Sequence, residues 1–258
     1  MPFFRIQIQA LGRRLKQTPH FITIVAGPRQ VGKTTLVRQA LEQCAHYFLA
    51  VDQSEEPTLS AYSNGTSQTS EIDGAPRDAA WLVRSWRSAR QQCQTFKANN
   101  ANQPFVFVLD EIQKIPRWSD TVKGLWDADR AQGLEMHVIL LGSSPLLMQK
   151  GLTESLAGRY ELMRVNHWSF LEMHQAFDFT LNEYIYFGGY PGSARLIREE
   201  ERWRNYVLAA LVQPSIDTDI LQMTRVDKPA LLKQLFTLGA SYSGQILALS
   251  KEIGRAHV

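Results

Sequence analysis

Only two cysteines, Cys44 and Cys93, occur in 258 residues. They form no C-x-x-C pair, so neither a disulfide framework nor a thiol metal site organises the chain, and a reduced interior is the simpler setting. Neither has a base partner in its local sequence that would argue for covalent catalysis. His167 and His174 stand seven apart without further ligands at zinc-type spacing, which leaves no metal site of that kind. No apolar run approaches the ~18–20 residues of a membrane helix. Arg5, Arg13, Arg14 and Lys16 interrupt the N-terminus before it can build the continuous apolar core of a signal peptide. The expected location is the cytoplasm, with no membrane partner. Charge of one sign is scarce as well. Against 28 Lys+Arg stand 25 Asp+Glu, and a net +3 is too small to argue for nucleic acid by itself. Internal repeats and low-complexity tracts are lacking.

The 44% of apolar residues is distributed in blocks. Phe21–Ala26, Tyr47–Val51, Phe105–Leu109 and His137–Leu141 are near-continuous apolar runs, as expected of strands covered on both faces. Glu161–Val165 alternates more and reads as an edge strand. Helical patterns separate these runs. One follows Gly32. A second, near Arg77–Lys97, puts Leu82, Trp86, Ala89, Cys93 and Phe96 on one stripe. A third begins after Pro116 and aligns Trp118, Val122, Leu125 and Trp126. Strands alternating with helices predict a parallel α/β sheet. Gln53–Pro76 and Ala98–Pro104 are polar and read as loops. After Trp168 the pattern is wholly helical, apart from a Gly-Gly-Tyr-Pro-Gly break at 188–192. Basic charge is concentrated: residues 1–41 carry Arg5, Arg13, Arg14, Lys16, Arg29, Lys33 and Arg38 and no acid. This cluster, like Arg84, Arg87 and Arg90 opposite the apolar stripe, could follow a nucleic-acid backbone or form a solvated face.

The segment Gly27-Pro28-Arg29-Gln30-Val31-Gly32-Lys33-Thr34 fits G-x-x-x-x-G-K-[ST] and sits between a strand and a helix, as a phosphate-binding loop must. Glycines let backbone N–H groups turn onto a phosphate, and the helix N-terminus adds partial positive charge. Lys33 is placed for the outer phosphates and Thr34 for Mg²⁺, while Thr35 is a second hydroxyl or a helix-packing residue. The strand 105–109 runs into Asp110 and Glu111, at the sheet edge where ligands bind in α/β folds. Asp110 suits the Mg²⁺ shell, and Glu111 suits a base for an attacking water. The strand 137–141 ends in Gly142-Ser143-Ser144. Ser143 is the candidate to orient water or touch the terminal phosphate, and Ser144, before Pro145, to cap the next helix.

With these residues in place the chain resembles AAA+ ATPases, and more narrowly bacterial and archaeal ATP-binding proteins that join an AAA domain to a C-terminal domain of unknown function. The pieces that carry the resemblance are GPRQVGKTT (27–35), LDEIQKIPRW (109–118), LGSS (141–144), SLAGR (155–159), HWSFLEM (167–173), YFGGYPG (186–192) and DTDI (217–220), in family order over almost the whole chain. The resemblance implies a P-loop NTPase sheet of order 5-1-4-3-2 with a small helical lid, and ATP with Mg²⁺ as ligands. It implies that Arg159 is an arginine finger reaching the nucleotide of a neighbouring subunit in a homo-oligomer; the reading from the residues alone is a helix-terminal cation on the last carbonyls. It also implies that Gly188 to Pro191 lies in the lid, with Pro191 at the nucleotide base and Arg195 a phosphate sensor. The expected domains are 1–166 for nucleotide binding, 167–227 for lid and linker, and 228–258 for the start of a truncated C-terminal domain. Residues 253–258 (IGRAHV) match what a short-read sequencing adapter encodes, so they are expected to be non-native. The leading function is ATP hydrolysis driving a change in a DNA or protein target. The alternative is a nucleotide-gated switch or DNA-binding adaptor with negligible turnover. A small-molecule kinase would need an Arg-rich mobile lid, and no such cluster is present.

Overall fold

The computed structural model describes residues 3–51, 58–59, 76–143, 152, 155–216 and 229–242. The expected cap at Ser144, the segment 217–220, the start of the C-terminal domain at Lys228 and the residues 253–258 lie outside them. The chain divides into two compact units, Met1–Trp203 and Arg204–Val258.

In the first unit the described elements run α1 (Ile6–Leu15), β1 (Ile22–Ala26), α2 (Lys33–Ala40), β2 (Ala45–Ala50), β3 (Thr58–Leu59), α3 (Ala79–Asn99), β4 (Phe105–Asp110), α4 (Trp118–Ala131), β5 (His137–Gly142) and β6 (Tyr160–Arg164). The sheet order is β3-β2-β4-β5-β1-β6. Counting only the five strands expected from the sequence, this is 5-1-4-3-2 read from the other side, and all their pairings are parallel. Two elements differ from expectation: α1 forms where the sequence reads only as a basic cluster, and a short strand is added to the sheet. Thr58–Leu59, inside the segment read as a loop, adds antiparallel to β2 at Tyr47 and Phe48. Two residues carry too little periodicity to be read as a strand. The alternating strand β6 does stand at an edge.

Period-two alternation explains the layers. Ile22, Ile24, Tyr47, Leu49, Phe105, Phe107, Leu109, Val138 and Leu140 face one side, where they pack with Trp81, Leu82 and Trp86 of α3 and Trp118, Val122 and Trp126 of α4. Val25, Phe48, Val106, Val108, Ile139, Leu141 and Met163 face the other, against Leu11 and Leu15 of α1 and Leu36 and Val37 of α2. Strand β4 is buried throughout. Each large apolar side chain removed from water there contributes roughly 1.5–3 kcal/mol. Asp78 caps α3 by accepting a hydrogen bond from the Trp81 N–H at 2.8 Å, about 1 kcal/mol of helix stability.

Beyond β6 a smaller core gathers Trp168, Met173, Phe179 and Ala194, with Phe3 packed against it. The helices Phe170–Phe177 and Leu181–Phe187 each begin in a capping box, Ser169 with Glu172 and Thr180 with Glu183. The segment Pro191–Leu196 is a 3-10 turn. In the second unit the described residues include a π-helical stretch Val207–Val212 and the helix Pro229–Ser241.

Candidate nucleotide site

Because β1, β5 and β4 are parallel neighbours, their C-terminal ends bring three loops to one edge. The loop after β1 lies against the backbone that leaves β6. A Cβ on Gly27 would stand 1.9 Å from the Val165 carbonyl oxygen, so only glycine fits there. Gln30 and Gly32 take left-handed backbone conformations, φ 59 and 85°. Such turns aim successive N–H groups into one concavity, and α2 opens directly behind it. Lys33 is buried, and its Nζ donates to the carbonyls of Gly27 at 2.9 Å and Pro28 at 2.7 Å. Thr35 is exposed on α2, so its hydroxyl does not pack the helix as the alternative reading had it.

The Thr34 hydroxyl donates to Asp110 Oδ2 at 2.6 Å, two strands away. Burial pushes the Asp110 carboxyl above its ordinary range. The Glu111 carboxylate adds to this, while the Thr34 hydroxyl, the Glu111 N–H and Lys33 pull it back. The Glu111 N–H donates to Asp110 Oδ1 at 2.9 Å. Glu111 itself adopts φ 56°, a left-handed conformation uncommon outside glycine. Its Oε2 accepts from two donors, the Ser143 hydroxyl at 2.8 Å and Gln113 Nε2 at 2.6 Å, and Gln113 also reaches Ser143 Oγ at 3.2 Å. Ser143 is buried, at the end of β5.

These groups suit a magnesium-bound polyphosphate. The loop has no room for a Cβ at Gly27, the buried Lys33 supplies a cation, and Thr34 with Asp110 forms a pair of hard oxygen donors, the kind Mg²⁺ takes. Among the described residues no cluster of three or more His, Cys, Asp or Glu could hold a metal, and no helix is long and apolar enough to cross a membrane.

The expected site residues therefore fall into two groups. Gly27 to Thr34, Asp110, Glu111 and Ser143 converge. Arg159 does not join them: it directly precedes β6, and its carbonyl accepts from the Ile22 N–H at the start of β1. That is the opposite end of the sheet, about 16 Å along a five-residue strand. Its guanidinium forks onto Asp127 of α4 at 2.8 and 3.0 Å, which holds the Asp127 carboxyl below the usual carboxylate range. Pro191 opens the 3-10 turn beyond the Gly-Gly-Tyr break, and Arg195 is exposed on that turn. His167 meets the Tyr190 hydroxyl at 2.8 Å and His174 the Phe179 carbonyl at 2.9 Å.

Three residues at the site escaped the sequence reading. Gln113 follows Glu111 by two, and the 3-10 turn Ile112–Lys114 that folds it back has no periodicity to announce it. Arg5 was counted with the basic N-terminal surface, yet it is buried against Glu172. Trp168 lies in the segment HWSFLEM (167–173), but nothing local ties it to the loop.

The sequence matches the family described as AAA domain over residues 19–174 and a domain of unknown function over 178–256. Among the curated proteins none matches. Among solved structures the chain is similar to a Walker-type ATPase of Pyrococcus abyssi, at 17% identity and a TM-score of 0.51, over 93% of this chain and 76% of that one. It also matches Cdc6p from Pyrobaculum aerophilum, at 14% identity and a TM-score of 0.40, over 66% of this chain and 46% of that one. A third match is the replication initiator DnaA bound to AMPPCP and single-stranded DNA, at 14% identity and a TM-score of 0.44, over 86% and 70%.

Proposed function

The chain belongs to the AAA domain family, and from that premise we propose that it binds ATP with Mg²⁺ and hydrolyses it to drive a conformational change in a target. The observation that carries the reading is the convergence of Thr34, Asp110, Glu111 and Ser143 on the phosphate loop. Loop N–H groups and Lys33 bind and orient the outer phosphates. Thr34 and Asp110 would hold Mg²⁺, which when bound would supply positive charge against the charge that develops on phosphoryl transfer. Ser143 and Gln113 occupy Glu111 Oε2, which leaves Oε1 to accept the proton of an attacking water. Arg159, at the far end of the sheet, serves the site of a second copy. On this reading residues 1–166 form the nucleotide-binding domain, 167–227 the lid and linker, with Pro191 at the base, and 228–258 belong to the part that meets a DNA or protein target in the cytoplasm.

A second reading, a nucleotide-gated switch or adaptor with negligible turnover, draws support from the two donors that restrain Glu111. One experiment separates them. Titration calorimetry should give micromolar ATP binding that Lys33→Ala abolishes. Steady-state phosphate release should then fall roughly 10²–10⁴-fold in Glu111→Gln, with binding retained. Unchanged affinity in Lys33→Ala would sink the nucleotide assignment. Binding without turnover in the wild-type chain, with and without DNA, would favour the switch.

A further inference from the structure

The stretch that leaves β6 wraps the outer side of the phosphate loop. The Val165 N–H donates to the Ala26 carbonyl at 2.9 Å, and the Val165 carbonyl fills the space a Gly27 side chain would need. Three residues on, the Trp168 indole Nε1–H donates to the Val31 carbonyl at 3.0 Å. The buried Arg5 guanidinium reaches the carbonyls of Asn166 at 3.2 Å and Val31 at 3.5 Å, and grips Glu172 through a fork of 2.8 and 3.3 Å. It also lies 5.3 Å over the Trp168 ring, which Phe3 meets at 5.1 Å. Toward the Gly-Gly-Tyr-Pro-Gly break, the Trp168 N–H donates to the Gly189 carbonyl at 3.0 Å and its carbonyl accepts the Tyr184 hydroxyl at 3.0 Å. A Cβ on Gly189 would stand 2.1 Å from that carbonyl oxygen.

A clasp that only held α1 to the helix Phe170–Phe177 would need Arg5 and Glu172 and nothing more. Here two donors converge on a single carbonyl of the phosphate loop. A trans peptide unit is planar, with its C=O and N–H pointing in opposite directions. Fixing the Val31 carbonyl on the indole therefore fixes the Gly32 N–H on the side away from it. We infer that Trp168, backed by Arg5, is a positioning residue of the phosphate site: it locks the Val31–Gly32 peptide with the Gly32 N–H turned to the ligand. Through Gly189 and Tyr184 the same residue ties that peptide to the break at 188–192. This rests on the nucleotide reading above.

The test is ATP–Mg²⁺ titration and steady-state kinetics of Trp168→Phe, which keeps an aromatic ring against Phe3 and Arg5 and loses the Nε1–H donor together with part of the ring volume. Loss of one neutral hydrogen bond to the loop should raise the ATP Kd and KM about 3–10-fold, with the larger share of the effect in KM rather than kcat. Wild-type affinity in Trp168→Phe, in a series where Lys33→Ala abolishes binding, overturns the inference and leaves the nucleotide reading standing. A fall in kcat at unchanged KM overturns it too. A wild-type chain that does not bind ATP overturns the reading itself. Should Trp168→Phe fail to fold, Arg5→Lys retains the charge opposite Glu172 but lacks the fork that meets Glu172 and the two carbonyls at once. A smaller loss of affinity is expected there, and none would overturn the inference.

Discussion

Asp110 shows how a single side chain trades stability for a site. Burial holds its carboxyl above the ordinary range, so the folded chain takes up a proton at higher pH than the unfolded chain does. With the folded value above the unfolded one, ionised Asp110 costs stability at neutral pH, and that cost is relieved as pH falls through the folded value. Asp110→Asn should therefore melt higher than wild type without nucleotide, by roughly 1–4 °C. The gain should shrink as pH drops toward the ordinary carboxylate range, followed by circular dichroism across pH 4–8, while Mg²⁺-dependent turnover is lost. Gln113 acts differently. Its Nε2 reaches both Glu111 and Ser143, so Gln113→Ala should leave ATP affinity near wild type and lower kcat about 10–100-fold, the cost of a loosely oriented base. A loss of binding instead would assign Gln113 to the phosphate loop.

At the scale of elements, α3 and α4 are joined by more than their apolar stripes. Asp129, buried on α4, accepts from the Trp86 indole at 2.7 Å and from the Arg90 guanidinium, which also caps the Leu125 carbonyl at 2.9 Å. Arg90 therefore leaves the arginine row read as a solvated or nucleic-acid-facing stripe, while Arg84 and Arg87 remain exposed. Removing one partner of a buried pair strands the other. Asp129→Ala should cost about 2–4 kcal/mol in chemical denaturation, with ATP affinity of the folded fraction unchanged because α3 and α4 lie on the sheet face away from α2. A loss below ~0.5 kcal/mol would mean that the apolar stripes alone hold the two helices. The stripe itself was legible: Leu82, Trp86, Ala89 and Cys93 are all buried, because a 3.6-residue period needs only the helix to be seen. Where Arg90 would find an acid was not, since Asp129 lies 39 positions away.

For the whole molecule, the placement of Arg159 matters most. It stands at the amino end of β1 and β6 while the phosphate loop stands at the carboxyl end, so it cannot serve its own chain's site without unmaking the sheet. An arginine finger contributes about 10³–10⁵ in rate in phosphoryl-transfer systems. Arg159→Ala should therefore lose turnover while keeping ATP affinity. Mixing it with Glu111→Gln should restore part of the activity, because a mixed interface pairs an intact base with an intact finger. No rescue, in a chain that sediments as a monomer at saturating ATP, would leave Arg159 to its Asp127 contact alone.

The sequence by itself determined the parallel sheet, its edge strand, the phosphate loop and the acids at the end of β4. These rest on local periodicity and on a contiguous motif whose geometry is set by neighbouring residues. Strand order came from resemblance rather than pattern, because nothing in an apolar run says which run lies beside it. Only the tertiary structure decided what depends on distant meetings. Arg5 is buried because Glu172, 167 positions on, is waiting for it. Thr34, at the start of α2 behind β1, reaches Asp110 across the end of β5, and Trp168 reaches Val31 because β6 pairs with β1. A hydrogen bond is a contact of a few ångströms, and a chain's order records such contacts only when they are local.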